Sequence, residues 1–220
     1  MTSLTGQQIA GEGLTGWAYF YDSLETRIAT PDFAAGLALV AAIGAAAEQA
    51  GHHPDVNLRH RHVHVRLTSH DEQGVTTRDV QLARAISGLA ADAGLRPASG
   101  PVSRLDIALD TPDRKQVLPF WEAVFGLVRD GNADPGIDLT DPADRLPTLW
   151  FQQSGDEEPR QRWHHDLWLD PAEVQPRIDA AIAAGGRLVS DERAPAYWIL
   201  ADPEGNKICL CTWQTRDQAI

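Results

Sequence analysis

The chain contains very little cysteine. Cys209 and Cys211 are its two cysteines among 220 residues, and they stand two positions apart in a predicted strand. Side chains at that spacing share one face of a strand and lie roughly 6 to 7 Å apart, which is too far for an unstrained disulfide. This usage does not fit a disulfide-stapled secreted fold and favours free thiols in a reducing compartment.

The sequence also lacks a long hydrophobic segment and an obvious targeting signal. We find no apolar run long enough to span a bilayer. The first four residues, Met-Thr-Ser-Leu, do not begin the basic and then apolar order of a secretion signal. We therefore expect a cytoplasmic location and no membrane partner.

Basic side chains are in the minority. The chain has 19 Lys and Arg residues against 31 Asp and Glu residues, which gives a formal net charge of -12 at pH 7. A charge of this size and sign repels nucleic acid and anionic membrane surfaces. The composition therefore predicts a freely diffusing protein with no nucleic-acid partner.

The length and the distribution of breakers predict two domains. A chain of 220 residues with 43% hydrophobic content can bury a sizeable core, and domains usually have about 100 to 150 residues. Residues 95–101, Leu-Arg-Pro-Ala-Ser-Gly-Pro, form a short punctuated connector. We place one domain at 1–96 and a second at 102–214.

The first half has the pattern of an α+β unit. Thr30 is a candidate N-cap for a long helix that should end near Gly51. Apolar and polar residues alternate over 61–69, which is typical of a half-buried strand. Thr76 or Thr77 is then expected to cap a second amphipathic helix.

Histidine is concentrated in one stretch of the chain. Six of the eight histidines lie between positions 52 and 70. Imidazole can give or take a proton near neutral pH, so such a cluster suggests proton transfer or metal binding. His52 and His53 stand at the end of the predicted helix, and His70 follows the predicted strand. His62 and His64 fall on the polar face of that strand, where we interpret them as solvated.

Five positions carry a resemblance to a known family. Glu48, His52, His53, His70 and Asp79 stand at the spacings of the pterin-4a-carbinolamine dehydratase signature, in which an acidic residue precedes a His-His-Pro by four positions. The resemblance covers roughly the first 95 residues. It implies helices packed against an antiparallel sheet, and an enzyme that dehydrates 4a-hydroxytetrahydropterin, such as 4a-hydroxytetrahydrobiopterin, to the quinonoid dihydropterin without metal or other cofactor.

The resemblance also implies roles for these residues. His52 and His70 are the acid and base pair, with the assignment between them left open, and His53 binds substrate or assists. Loss of hydroxide from C4a needs an acid, while N5 must lose a proton to a base. Glu48 lies one helical turn before His52 and is a candidate to orient that ring. Asp79 either orients it too or caps the second helix.

The chain departs from the family pattern at His60, where an aromatic residue is expected. A stacking contact with a flat ring is then altered. We interpret His60 as a substrate-binding or orienting position, and the departure leaves open which pterin or other planar compound is accepted.

The second half repeats one order of elements. A strand at 105–109 and a helix at 116–125 are followed by a strand at 163–169 and a helix at 174–184, and each helix leads into a strand that starts with glycine. With the motif Asp-Pro-Glu-Gly-Asn at 202–206, this resembles the glyoxalase-like proteins of the vicinal oxygen chelate (VOC) superfamily. The resemblance implies paired βαβββ modules.

Metal-dependent members of that superfamily place ligands on inward positions of equivalent strands, and the matching residues here are Asp106, His164 and Cys209. A carboxylate, an imidazole and a thiolate can in principle hold Zn²⁺ or Fe²⁺. Because Cys209 replaces the usual glutamate, we expect a pocket without metal that these three residues line.

The sequence therefore predicts a two-domain α+β hydro-lyase that acts on a pterin by histidine acid and base catalysis. By resemblance alone, we expect a homo-oligomer. Two alternatives stay open. One is a small-molecule enzyme centred on the second domain, and the other is a protein that sequesters a pterin or another planar compound and so confers resistance.

Overall fold

The computed structural model of the chain describes residues 2–20, 22–129, 138–143, 145–155, 163–201, 205 and 207–215, and at 116, 120, 123 and 124 it describes the backbone alone. The chain divides into two units. The first comprises Met1–Ser103 with Leu169–Glu173 and Thr212–Ile220, and the second comprises Arg104–Trp168 and Val174–Cys211. Our division at 1–96 and 102–214 stays a prediction.

The first unit is an antiparallel sheet covered by helices. Its strands follow the order β1-β2-β4-β3, and β5 also pairs with β2. This confirms the α+β architecture predicted for the first half. The elements are α1 Gly6–Gly11, β1 Ala18–Phe20, β2 Ser23–Ala29, α2 Phe33–Ala50, β3 Asp55–Arg59, β4 His62–Leu67, α3 Thr77–Asp92 and β5 Pro97–Ala98.

The core of this unit lies between the sheet and the two long helices. Val63, Val65 and Leu67 of β4 are fully buried, and they pack in one cluster with apolar residues of α2 and α3. Successive side chains of a strand point to opposite faces, so the polar residues of β4 lie on the face away from the helices. The alternation predicted from the sequence is confirmed.

The long helix α2 begins two residues later than predicted. Its N-cap is Asp32, whose carboxylate accepts a hydrogen bond of 2.8 Å from the backbone N–H of Ala35. The prediction of Thr30 as cap is wrong because the Thr30 N–H instead donates to the Arg61 carbonyl and extends the sheet. The predicted end is confirmed, since Gly51 adopts the left-handed conformation that closes a helix.

Within the described part of the chain, α2 is the one helix that is long and apolar enough to cross a membrane by length and composition. Our expectation that no run reaches this length was therefore wrong. One such helix is weak evidence for a membrane segment, because core helices of globular proteins meet the same criterion. The outward side of α2 is nevertheless apolar, and Phe33 and Leu37 are 50% and 54% exposed.

The second unit contains an eight-stranded sheet in the order β11-β12-β13-β10-β6-β9-β8-β7. Each half of this order is one βαβββ module whose first and last strands are parallel neighbours. The paired modules confirm the predicted architecture. The elements are β6 Ser103–Thr111, α4 Arg114–Phe125, β7 Val128–Arg129, β8 Leu139–Thr140, β9 Thr148–Gln153, β10 Trp163–Leu169, α5 Pro171–Ala183, β11 Arg187–Ser190, β12 Tyr197–Ala201 and β13 Lys207–Cys211.

The motif at 202–206, apart from Gly205, lies outside the described residues.

Candidate functional site

The end of α2 fixes the position of His52. Gly51 reverses the chain with φ of 60°, and the His52 N–H donates to the Ala47 carbonyl at 3.2 Å. The imidazole is thereby directed into the unit, where the residue is buried at 8% exposure. Its Nε2 atom lies 2.7 Å from Oδ1 of Asp79 on α3. A residue at the end of one helix is thus bound to a residue in the first turn of the next.

Asp79 is fully buried and is held from three directions. It is the third residue of α3, and its Oδ2 atom accepts from the N–H of the N-cap residue Thr76 at 2.7 Å. The hydroxyl of Ser69 also donates to Oδ2, at 2.7 Å. With His52 on Oδ1, this one carboxylate joins the end of α2, the segment after β4 and the start of α3. Asp79 therefore both caps the second helix and orients a histidine, the two roles left open by the sequence.

The partner of His52 determines which ring nitrogen carries the hydrogen. Oδ2 of Asp79 already accepts hydrogen bonds from other groups. Because a carboxylate oxygen accepts hydrogen bonds, we assign Nε2 of His52 as the donor toward Oδ1. In the neutral ring Nδ1 is then the acceptor, so the two nitrogens exchange the roles that they have in the Ser-His-Asp triad, where Nδ1 binds the aspartate. This arrangement can take a proton at Nδ1 and stabilise the resulting imidazolium.

His53 and His70 lie at the same end of the sheet as His52. Asp55 at the start of β3 pairs with Arg66 near the end of β4, so the segment before β3 and the segment after β4 are neighbours. His53 precedes β3 by two residues, and exposed His70 directly follows the Ser69 that binds Asp79. The structure therefore brings the backbones of the three predicted histidines together.

Glu48 binds a different histidine from the one expected. Its Oε1 atom lies 3.1 Å from Nε2 of His53, and both side chains are largely exposed. The reversal at Gly51 turns His52 inward and leaves His53 outside, within reach of the last turn of α2. Glu48 is thus placed to orient His53, whereas Asp79 orients His52.

His60 does not join this group. It lies in the turn between β3 and β4, at the far end of the five-residue strand β3. At roughly 3.3 Å per residue, it stands some 16 Å or more from the start of that strand. The three histidines at the other end are therefore separated from it by the length of the hairpin.

A cavity of about 240 Å³ opens beside His52. It lies between the C-terminal half of α2 and the first turns of α3. His53 and His70 are not among its lining residues. The lining consists of Ala46, Gln49, Ala50, His52, Arg78, Gln81, Leu82 and Ala85.

Arg78 is the charged group in this lining. Its guanidinium is hydrogen-bonded to Asp71 in the turn after β4, which raises the pKa of Arg78 and lowers the pKa of the Asp71 carboxyl. Sequence reasoning did not single out Arg78 or the contact of Ser69 with Asp79, whereas the prediction of Thr76 as an N-cap is confirmed. The spacing of Thr76 and Asp79, a capping box, was a usable signal for the contact between these two residues.

In the second unit, the predicted pocket residues share the face of the sheet opposite the one on which α4 packs. Leu109 and Phe151 pack with Leu118 of α4, and Trp163 packs edge-on against Trp121 of that helix at 5.1 Å. Residues at alternate positions of the same strands, among them Asp106, Asp110 and His164, therefore face the opposite way.

On this face, His164 binds a residue that the sequence did not indicate. Its Nε2 atom lies 2.8 Å from Oδ2 of Asp110. Oδ1 of Asp106 lies 3.7 Å from Nε of Arg104. Cys209 pairs in parallel register with Asp166, two residues after His164, and so shares its face. Among the residues described, no three His, Cys, Asp or Glu side chains form a group that could hold a metal ion.

Comparison with known proteins identifies both halves. The family model described as pterin 4 alpha carbinolamine dehydratase matches residues 2–89. A relative from Thermosynechococcus vestitus, named "Putative pterin-4-alpha-carbinolamine dehydratase", is 44% identical over 77 residues, which are 35% of this chain and 81% of the relative. The chain belongs to the pterin 4 alpha carbinolamine dehydratase family. A relative of the same name from Nocardia farcinica is 40% identical and covers 40% of this chain and 94% of its own length.

The second half matches the family model described as a glyoxalase-like domain, at residues 106–211. A solved structure of a transcriptional coactivator/pterin dehydratase from Brucella melitensis shares 27% sequence identity with the chain. It covers 40% of this chain and 99% of its own, with a TM-score of 0.39. The resemblances stated from the sequence, to a pterin dehydratase followed by a glyoxalase-like domain, are confirmed by the family models and the curated relatives.

Proposed function

We propose that this protein dehydrates a 4a-hydroxytetrahydropterin to the quinonoid dihydropterin, with His52 as the central catalytic group. The observation that carries the proposal is the 2.7 Å bond from His52 to the buried Asp79, at the end of the sheet where His53 and His70 also lie. Membership of the dehydratase family supports the same reaction. The residues used need no metal or other cofactor.

In this proposal the two histidines divide the proton transfers. His52 takes the proton from N5 of the pterin, because Asp79 stabilises the imidazolium that forms. His70 gives a proton to the hydroxyl on C4a, which leaves as water while the C4a–N5 double bond forms. After the reaction His52 carries one proton more and His70 one proton fewer than before. Proton exchange with solvent returns both histidines to their starting states.

His53 has the supporting role of a substrate contact. Its ring is exposed and bound to Glu48, so it is oriented but not enclosed. Removing it should weaken substrate binding more than the chemical step, and His53→Ala should therefore raise KM more than it lowers kcat.

The proposal is tested with freshly generated 4a-hydroxytetrahydropterin and purified full-length protein, by following quinonoid formation. We expect wild type to accelerate the reaction over buffer and His52→Ala to lose about 100-fold or more of kcat. Asp79→Asn should also lose activity, because an amide can donate to His52 and favour the wrong tautomer.

His165→Ala is the matched control, since this exposed histidine lies on the sheet of the second unit. Its activity should stay within about twofold of wild type. A wild-type rate equal to that of buffer would contradict the proposal. Tight pterin binding without turnover would instead favour the sequestering protein considered above.

A second candidate function is centred on the second unit. The 2.8 Å bond between His164 and Asp110 gives that imidazole a carboxylate partner and a fixed orientation, which suits proton abstraction from a small molecule. Cys209→Ala in protein purified without chelators, with elemental analysis, tests the alternative of a metal. Loss of stoichiometric Zn or Fe in the variant would favour a metal enzyme here.

A further inference from the structure

Five basic residues gather at the end of the β3–β4 hairpin that is remote from His52. We call Arg27, Arg59, His60, Arg61 and His62 the hairpin basic cluster. His62 pairs with Arg59 across the hairpin, and His60 and Arg61 form the turn between them. Arg27 reaches His62 from β2. All five thus converge on one corner of the first unit, in a chain whose net charge is -12.

The contact between Arg27 and His62 sets the state of the imidazole. Nη2 of Arg27 lies 3.1 Å from Nδ1 of His62. Since a guanidinium can only donate, Nδ1 is the acceptor and Nε2 carries the hydrogen. Partial burial, then the charges of Arg27 and Arg59 and the neighbouring His64, lowers the pKa of His62. The ring is therefore a neutral donor at pH 7, held beside two guanidinium groups.

Elsewhere on this face of the sheet, basic side chains are paired with acidic ones. Oε2 of Glu25 lies 3.1 Å from Nε2 of His64, and Nη2 of Arg66 lies 3.2 Å from Oδ2 of Asp22. Among the described residues, by contrast, the arginines of the hairpin basic cluster form no ion pair with an acidic side chain. Arg59, His60 and Arg61 are exposed, so the cluster is open to a ligand from solvent.

We propose that the hairpin basic cluster binds the phosphate group of a small phosphorylated molecule. Guanidinium groups bind phosphate oxygens through paired hydrogen bonds, and the Nε2–H of His62 supplies a further donor. Ala29 pairs with His62 on the side opposite Arg59, and its small, exposed side chain leaves the His62 ring uncovered on that side. The strong negative charge of the whole chain opposes a long polyanion, so a small anion fits better than nucleic acid.

This site is separate from the histidines proposed for catalysis. The five residues of β3 lie between the two ends of the hairpin, roughly 16 Å at the rise of an extended strand. A phosphate at the cluster is therefore a ligand in its own right, not a substituent at the C4a–N5 edge of a bound pterin.

The test is a titration of the full-length protein with inorganic phosphate, followed by NMR of the histidine rings. A parallel titration with sodium chloride at equal ionic strength removes the general effect of salt. We expect a saturable shift of the His62 resonances and a rise in the pKa of His62 when phosphate is bound. Adenosine monophosphate, run as a second arm, distinguishes an ester ligand from the free ion by its tighter binding.

Two variants make the test specific. Arg59→Gln removes an exposed guanidinium of the cluster and should weaken phosphate binding about tenfold or more, as loss of one charged hydrogen bond implies. Arg84→Gln removes a guanidinium from α3 that is bound to Glu12, and should leave binding unchanged.

Equal shifts in phosphate and chloride, or unchanged binding by Arg59→Gln, would overturn the proposal. So would binding of a single-stranded DNA oligonucleotide without binding of either phosphate probe, because that result indicates a polyanion surface.

Discussion

At the scale of single residues, Asp79 has the greatest effect on the candidate site. One buried side chain caps α3, binds Ser69 and holds the ring of His52. Replacing Asp79 leaves the donors of His52, Ser69 and Thr76 without their common acceptor. Asp79 is therefore a positioning residue for His52 and a structural residue for the first unit.

We expect Asp79→Ala to lower the free energy of unfolding by about 2 to 4 kcal/mol. Loss of the cap accounts for about 1 kcal/mol, and the buried donors left unpaired account for the rest. Urea unfolding followed by circular dichroism measures the change. Asp92→Ala, at the exposed end of the same helix, is the control and should change stability by less than about 0.5 kcal/mol. A loss of the same small size for both variants would contradict this account of Asp79.

His62 should make the protein less stable in acid. Folding lowers the pKa of His62 below its ordinary value of about 6.5, so the folded state favours the neutral ring. The stability that this difference contributes is present above pH 6.5 and is lost as the pH falls through the folded pKa. Urea midpoints between pH 7.5 and 5 should fall less steeply in His62→Gln than in wild type. Parallel curves would show that His62 does not contribute.

The sequence anticipated much of this residue-level picture, but not all of it. The resemblance to the dehydratase family implied that His52, His53 and His70 act together, and the pairing of β3 with β4 puts their backbones at one end of the sheet. The partner of Glu48 could not be read in this way. A left-handed residue at Gly51 reverses the chain, so proximity along a helix no longer indicates which of two adjacent rings a side chain meets.

At the scale of elements, the start of α2 shows how a helix end is chosen by the strand before it. Thr30 is a good N-cap by residue type, yet its N–H is used by the sheet and its side chain is buried. Asp32 is the first polar residue free of the ladder, and it takes the cap. Periodicity predicted the helix and its end at Gly51, but the competition between sheet and cap lies in the tertiary structure.

A pair of substitutions tests this assignment. Asp32→Ala should lower the free energy of unfolding by about 1 kcal/mol through loss of the N-cap. Thr30→Val should be nearly neutral or stabilising, because the Thr30 hydroxyl is buried and has no hydrogen-bond partner among the described residues. Urea unfolding of both variants gives the comparison. If Thr30→Val lowers the free energy of unfolding more than Asp32→Ala does, Thr30 and not Asp32 is the N-cap of α2.

At the scale of the whole molecule, two family domains follow one another in a single acidic chain. The repeat of strand, turn and helix was visible in the sequence and predicted a paired unit, and the resemblance to the VOC superfamily implied its βαβββ modules. The bond from His164 to Asp110 was not predicted, because it joins different modules and no local pattern marks such a pair. The short strand β8 was likewise missed, since two residues are too few to show alternation, whereas β7 follows the first helix as predicted.

We expect the protein to form a homo-oligomer in which a second copy covers the outward side of α2. Phe33 and Leu37 are about half exposed there, and burying them removes apolar surface from water. Light scattering should give a multiple of the 24.0 kDa chain mass for wild type. Leu37→Glu should shift the protein toward the single chain, whereas Gln7→Glu, which adds the same charge on α1, should not.

A wild-type mass of one chain would contradict the homo-oligomer. Sedimentation with phospholipid vesicles that is lost in Leu37→Glu would instead indicate that α2 contacts lipid.

The junction at Asp79 has a last consequence, for how the site responds to local opening. The Thr76 amide is donated to the same carboxylate that holds His52, so fraying of the first turn of α3 releases both at once. The rate at which that amide exchanges its hydrogen with deuterated solvent should therefore report how often the histidine loses its alignment, with no substrate present.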